Sequence, residues 1–163
     1  MKTPLAGLAV AATLAVASPA MAQSCLVLSR IDNFGAIRLG TQLAEIPSDL
    51  SVTEQCEAGV SVGVCVLRDL NGVTYTLYDG EVISKFVFVG QGPLPWGFAD
   101  DQDRTVAANL LTRQTELRAT GVLDAENQVH VRSRFGCGET IFGQAFARYS
   151  GNRLVAVGLE IDV

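Results

Sequence analysis

Apolar and polar residues alternate along this chain in short runs, and the alternation is clearest on either side of glycine turns. Val73-Thr74-Tyr75-Thr76-Leu77-Tyr78 and the run Val82 to Val89 flank Asp79-Gly80, and the run Leu154 to Ile161 follows Ser150-Gly151. A two-residue period marks strands with one face on a core. Asn71-Gly72 and Asp79-Gly80 are hairpin dipeptides. If Asp79-Gly80 closes a two-residue loop, Tyr78 pairs with Glu81, Leu77 with Val82 and Tyr75 with Ser84. The inward face then carries Val73, Tyr75, Leu77, Val82, Phe86 and Phe88. The outward face carries Thr74, Thr76, Tyr78, Ile83 and Lys85. The same construction turns Phe146, Val155, Val157 and Leu159 inward and Tyr149 and Leu154 outward.

Helical spacing is rarer. Val106, Ala107, Leu110 and Leu111 fall on one helix face. Asp100 or Asp101 can cap that helix, and Arg113 favours its C-terminal end. In the first half, Gly40-Thr41 precedes Leu43, Ala44 and Ile46, but Pro47 makes any helix there short or kinked.

These elements recur. Cys65 is followed by Gly72-Val73-Thr74-Tyr75-Thr76-Leu77-Tyr78-Asp79-Gly80, and Cys137 by Gly143-Gln144-Ala145-Phe146-Ala147-Arg148-Tyr149-Ser150-Gly151. The common phrase is Gly-x-x-aromatic-x-x-Tyr-polar-Gly, with an apolar strand after each copy. The Gly- and Pro-rich segment from Gly90 to Pro95 suits a connector. The expected fold is therefore α+β: two tandem units, residues 23–91 and 92–163, each a short helical segment followed by an antiparallel β-meander.

The first residues change the context. Lys2, the apolar run Leu5 to Val16 and the small residues of Ala20-Met21-Ala22 form the three-part pattern of a secretory signal peptide, residues 1–22. The run is short for a membrane span, and no other long apolar stretch exists. A periplasmic or secreted location follows. Lipidation at Cys25 is the competing reading, and Gln23 fits it badly. The four cysteines, Cys25, Cys56, Cys65 and Cys137, are an even set, as two disulfides require in an oxidising compartment. Closing the short Cys56–Cys65 loop costs little entropy and would leave Cys25 with Cys137. Pairing Cys25 with Cys56 and Cys65 with Cys137 is the alternative. The net charge is −5, and cleavage of the leader would remove Lys2 and no acid. That balance argues against nucleic acid or anionic membranes as partners.

Candidate chemistry is sparse. His130 is the only histidine, and a lone imidazole needs a nucleophile or co-ligands to catalyse. Strand alternation sets His130, Arg132 and Arg134 on one face, either a solvated stripe or a basic stripe for an acidic group, which the planar guanidinium fork grips in two places. Asp100-Asp101-Gln102-Asp103 lacks the glycine and distal glutamate of a calcium loop. No metal or cofactor is expected. Trp96 in the connector is either an interface anchor or a plug between the units. Tyr78 and Tyr149, each before a turn, together with Lys85, complete the candidate contact residues.

The phrases Ile37-Arg38-Leu39-Gly40-Thr41 with Leu43-Ala44-Glu45-Ile46, and Leu94-Pro95-Trp96-Gly97-Phe98 with Asp103-Arg104-Thr105-Val106, resemble the openings of units in the β-lactamase-inhibitor-like fold. Its single-unit relatives are outer-membrane assembly lipoproteins of the SmpA/OmlA type. Cys56 and Cys65 resemble the loop disulfide of that fold's first unit. Pro47 and Cys25 depart from the pattern. The resemblance implies binding of another protein through an open sheet face, without catalysis. The functional expectation is thus an exported, non-catalytic protein-binding module whose partner is another extracytoplasmic protein. A small secreted hydrolase using carboxylates distant in sequence, or a purely structural domain, are the alternatives.

Overall fold

The computed structural model describes residues 27–47, 64–123, 129–137 and 141–162. The expected signal peptide, Cys25 and Cys56 lie outside the described residues. Among the described residues there are seven strands: β1 (Val64–Arg68), β2 (Val73–Tyr78), β3 (Glu81–Phe88), β4 (Thr120–Leu123), β5 (Val129–Cys137), β6 (Ile141–Ser150) and β7 (Arg153–Asp162). They form one antiparallel sheet in the order β1-β2-β3-β7-β6-β5-β4. The only long helix among the described residues is Arg104–Thr115. A helical turn at residues 27–31 and the 3-10 turns Leu43–Glu45 and Pro95–Gly97 complete the elements.

This corrects the expected fold class. The protein is mainly β, and it is not two tandem helix-plus-meander units. Two features account for the difference. First, β3 and β7 pair directly, from Ser84↔Glu160 to Phe88↔Ala156, and so merge all the strands into one sheet. Second, among the described residues of the first half no long helix covers the sheet: before Pro47 only the helical turn at residues 27–31 and the 3-10 turn Leu43–Glu45 form.

An irregular strap, residues 32–47, takes the helix's place. It is sewn to the turn between β2 and β3 through Gly40 N–H to Val82 O (2.8 Å), Leu43 N–H to Gly80 O (2.7 Å) and Val82 N–H to Thr41 O (3.0 Å). Ile37 of the strap joins Leu67, Val73, Tyr75, Leu77, Val82 and Val87 in one apolar cluster. A strap without regular structure must satisfy its backbone by other means. The Tyr75 hydroxyl accepts from Ala36 N–H (2.9 Å) and donates to Asp69 Oδ2 (2.8 Å). Lys85 Nζ donates to Phe34 O (2.5 Å) and Ile37 O (3.2 Å) and is ion-paired with Asp32. Gly35 adopts φ +72°, and a Cβ there would lie 2.3 Å from the Tyr75 hydroxyl oxygen, so only glycine lets the strap pass this close.

The helix covers the second half of the same sheet face. Its N-cap is Asp103, not Asp100 or Asp101: the carboxylate accepts from Thr105 N–H (2.8 Å) and Val106 N–H (3.0 Å). Ala107 and Leu111 pack with Val131, Phe135, Ala145, Ala147, Tyr149, Leu154, Val157 and Leu159. Small residues at 145 and 147 let the helix approach β6. Its C-terminal end is tied to β5, where Thr115 Oγ1 and Ser133 Oγ lie 2.5 Å apart and Ser133 donates to Leu117 O (2.7 Å).

The expected hairpin register holds for two pairs and then slips. Tyr78 pairs with Glu81 and Leu77 with Val82, but Thr76 pairs with Ser84 and Tyr75 with Lys85, which leaves Ile83 as an extra residue. A bulge of this kind exchanges the faces of everything beyond it. Phe86 therefore leaves the core face expected for it, and Lys85 enters that face. The β6–β7 hairpin has the same irregularity at the same place: Ser150 pairs with Arg153, Tyr149 with Leu154, and Val155 is extra. Tyr149 is thus the counterpart of Leu77, not of Tyr78. It is 0% exposed and Leu154 is 2% exposed, so both point inward. The two hairpins meet across the β3–β7 seam, where Phe86 pairs with Gly158. A side chain at residue 158 would collide with Phe86 Cβ at 2.4 Å, so glycine at this crossing admits the ring.

Candidate functional site

The registers place every second residue of each strand on the sheet face opposite the helix and strap. One row crosses all seven strands: Arg68, Thr74, Phe86, Gly158, Phe146, Arg132 and Thr120. On one side of it runs Val66, Thr76, Ser84, Glu160, Gln144 and Arg134. On the other side run Phe88, Ala156, Arg148 and His130. The two apolar clusters that hold the helix and the strap contain none of these residues. The face instead sets four arginines and three phenylalanines among mostly small and polar residues, on a chain of net negative charge.

The aromatic groups sit at its centre. Phe86 meets Phe88 edge-on at 5.1 Å and Phe146 at a tilt at 6.4 Å. The Arg148 guanidinium lies over both Phe146 (5.6 Å) and Phe86 (6.0 Å), within reach of the ring quadrupoles. Phe146 is buried, as expected, yet it is buried on this face, beneath its neighbours. His130 is also buried here, and its ring lies 6.4 Å from that of Phe146.

Beside the aromatic centre, Leu117, Arg118, Thr120, Arg132, Arg134 and Gln144 line a cavity of ≈ 590 Å³. It lies where β4 begins and the chain leaving the helix crosses the sheet edge. Arg132 Nη2 donates to His130 Nδ1 at 3.0 Å, and because a guanidinium can only donate, that ring nitrogen is the acceptor. The Arg132 Nε is buried without a hydrogen-bond partner among the described residues. Gln144 donates through Nε2 to the Glu160 carboxylate. Among the described residues the ion pairs are Arg30–Glu116 and Lys85–Asp32, neither within the cavity. Arginine stays protonated at any ordinary pH and cannot act as a base. Arginines without a carboxylate partner among the described residues give this cavity the chemistry to accept an anion.

The expected contact residues divide. His130, Arg132 and Arg134 share one face, as their alternation requires. Tyr78 is 43% exposed, at the end of β2 opposite exposed Val64. Lys85 and Tyr149 cannot contact a partner on an outward face: both are 0% exposed on the core side. Burial pulls the Lys85 ammonium below its ordinary value, against the opposing pull of Asp32. Burial pushes the Tyr149 phenol up to about 12, with Asp103 adding to the rise and Arg104 opposing it. The Tyr149 hydroxyl donates to Gln102 O (2.9 Å). Trp96 is a plug: its Nε1 donates to Ile31 O (3.0 Å), and its ring meets Phe34 edge-on at 5.3 Å.

Cys65 is disulfide-bonded; its pairing involves side chains outside the described residues. Cys137 ends β5 opposite Ile141. Among the described residues no group of His, Cys, Asp and Glu could hold a metal ion.

Arg118, Thr120, Gln144, Arg148, Phe86 and Phe88 are members of the face that sequence reasoning missed. Alternation alone could have added Arg148, which stands two residues after Phe146. The others depend on the bulge and on strand pairing distant in sequence. Comparison with known proteins gives no match: no family model fits the chain, and no curated protein or solved structure is similar to it.

Proposed function

We propose that this chain is an exported, non-catalytic protein-binding module that engages another extracytoplasmic protein through the sheet face carrying Phe86, Phe88, Phe146, Arg132, Arg134 and Arg148. One observation carries the reading: this face has the composition of an interface. Aromatic residues and arginine are enriched at protein contacts, whereas lysine and glutamate are depleted. A face meant only for solvent has no use for a cluster of phenylalanines, and a face meant for a second core layer would not hold Arg132, Arg134 and Arg148. Rings held by one another and by Arg148 lose little freedom when a partner docks. Export is supported by the leader pattern of residues 1–22 and by the disulfide at Cys65. No helix of the described residues is long and apolar enough to cross a membrane.

Site-specific photo-crosslinking in the native host tests the reading. A benzophenone side chain in place of Phe88 should form protein adducts. The same group in place of Arg113, exposed on the helix, should not. Adducts at Arg113 alone, or equal adducts at both positions, would contradict the assignment of the face.

A further inference from the structure

We infer that the cavity lined by Arg118, Arg132 and Arg134 is a carboxylate site, and that its ligand is an extended acidic segment of the partner with acids at alternate positions. The inference rests on the protein-binding reading above and specifies the chemistry of that contact. Three arginines line one cavity of ≈ 590 Å³, and no carboxylate of the described residues is paired with any of them. Glu160, the acid in the same row, accepts from Gln144 and forms no ion pair with an arginine of the described residues. The buried Arg132 Nε has no hydrogen-bond partner among the described residues. A buried cationic donor left unpaired is costly, and an incoming oxyanion removes that cost.

Spacing decides the form of the ligand. Arg132 and Arg134 stand two residues apart on β5, hence on one face and about 7 Å apart along the strand. An extended peptide repeats its side chains on one side at the same interval. Acids at positions i and i+2 of such a segment therefore meet Arg132 and Arg134 in register. Adjacent acids would place one carboxylate on the wrong side. His130 fixes the first of these arginines through the 3.0 Å contact at Nδ1, so its fork is oriented before the ligand arrives. Leu117 and Thr120 supply an apolar wall and a hydroxyl beside the charges.

The experiment is a fluorescence-anisotropy titration of the full exported chain at low salt with three labelled peptides: Glu-Thr-Glu-Thr-Glu, its isomer Glu-Glu-Thr-Thr-Glu, which has no two acids at positions i and i+2, and Gln-Thr-Gln-Thr-Gln. Inorganic phosphate serves as competitor. The alternating acidic peptide should bind at least about tenfold more tightly than its isomer, a gap of roughly 1.4 kcal/mol. The neutral peptide should not bind, and affinity should fall as salt rises. Arg132→Gln and, separately, the exposed Arg134→Gln should each weaken the alternating peptide about tenfold or more, while Arg113→Gln changes nothing. Arg134→Gln guards against a fold defect in the partly buried Arg132 variant. Equal binding of the two acidic isomers, unchanged binding by Arg134→Gln, or displacement by phosphate at lower concentration than by the peptide would each overturn the inference. If the peptide fails while the Phe88 adducts stand, this inference falls alone. If the peptide binds through Arg134 and the adducts are absent, the anion site stands and the protein-binding reading falls.

Discussion

Lys85→Ala should cost the fold about 3–5 kcal/mol, the loss typical when one partner of a buried ion pair is removed. The ammonium is fully buried and has three oxygen partners from the strap: the Asp32 carboxylate, Phe34 O and Ile37 O. It also stands over the Phe34 ring at 4.5 Å. Removing it leaves Asp32 buried, with the N–H of Leu39 (3.0 Å) on its other oxygen. The strap would lose its anchor on β3 along with the charge. Lys85→Met paired with Asp32→Leu should recover only part of the loss: it leaves no unpaired buried charge, but Phe34 O, Ile37 O and Leu39 N–H lose their partners. Urea denaturation of the single and double variants measures both effects. A Lys85→Ala variant that unfolds with the parent would refute the role given to this pair.

The pair also has a pH signature. Burial holds the Lys85 value below its ordinary 10.5. Between the folded value and 10.5, the unfolded chain keeps a proton that the folded chain has released, so stability rises with pH across that window. Lys85→Met should remove this rise. Tyr75 and Tyr149 act in the opposite sense. Burial raises both phenols, and for Tyr75 the hydrogen bond to Asp69 adds to the rise. Their contribution is complete below pH 10 and is lost as pH climbs through the folded values, about 12 for Tyr149.

Tyr149→Ala should destabilise by roughly 3–5 kcal/mol, as for other large aromatic truncations in a core. The ring is enclosed by the helix-side cluster, and Arg104 lies 5.6 Å from its centre. Tyr149→Phe should cost about 1 kcal/mol, the net value of the bond to Gln102 O. Tyr78→Ala should change stability by no more than about 0.5 kcal/mol, as at most surface positions. Thermal melts of the three variants separate the two tyrosines. A Tyr149→Ala variant as stable as Tyr78→Ala would mean that the hairpin register is wrong.

That contrast shows what the sequence reveals and what it conceals. The strands of both hairpins, the Asp79-Gly80 turn and the inward Val73, Tyr75, Leu77 and Val82 are legible, because a two-residue period and a turn dipeptide are local signals. The bulges at Ile83 and Val155 are not local signals. Each depends on pairing across the sheet, and each moves a whole strand segment to the other face. Aligning the repeat on its tyrosines therefore matched Tyr149 with Tyr78, although the shared bulge matches it with Leu77. The α+β expectation failed for a related reason. The Leu43–Ile46 spacing before Pro47 reads as a short helix, and a 3-10 turn does form at Leu43–Glu45, but it belongs to a strap held by Lys85 and Tyr75, residues on strands far away in sequence. The shared face of His130, Arg132 and Arg134 was legible from alternation. Arg118 and Gln144 join it only through the path of the chain around β4 and the pairing of β5 with β6.

The central claim is that binding belongs to the arginine face and not to the helix face. The most direct measurement is capture of the crosslinked partner by a variant carrying Arg118→Glu and Arg134→Glu, two exposed positions whose reversal leaves the core untouched. Parent and variant should show the same cooperative melt, and the variant should lose the partner. A control with Arg113→Glu on the helix should keep it. A folded Arg118→Glu, Arg134→Glu variant that retains the partner at the parent's level would contradict the account.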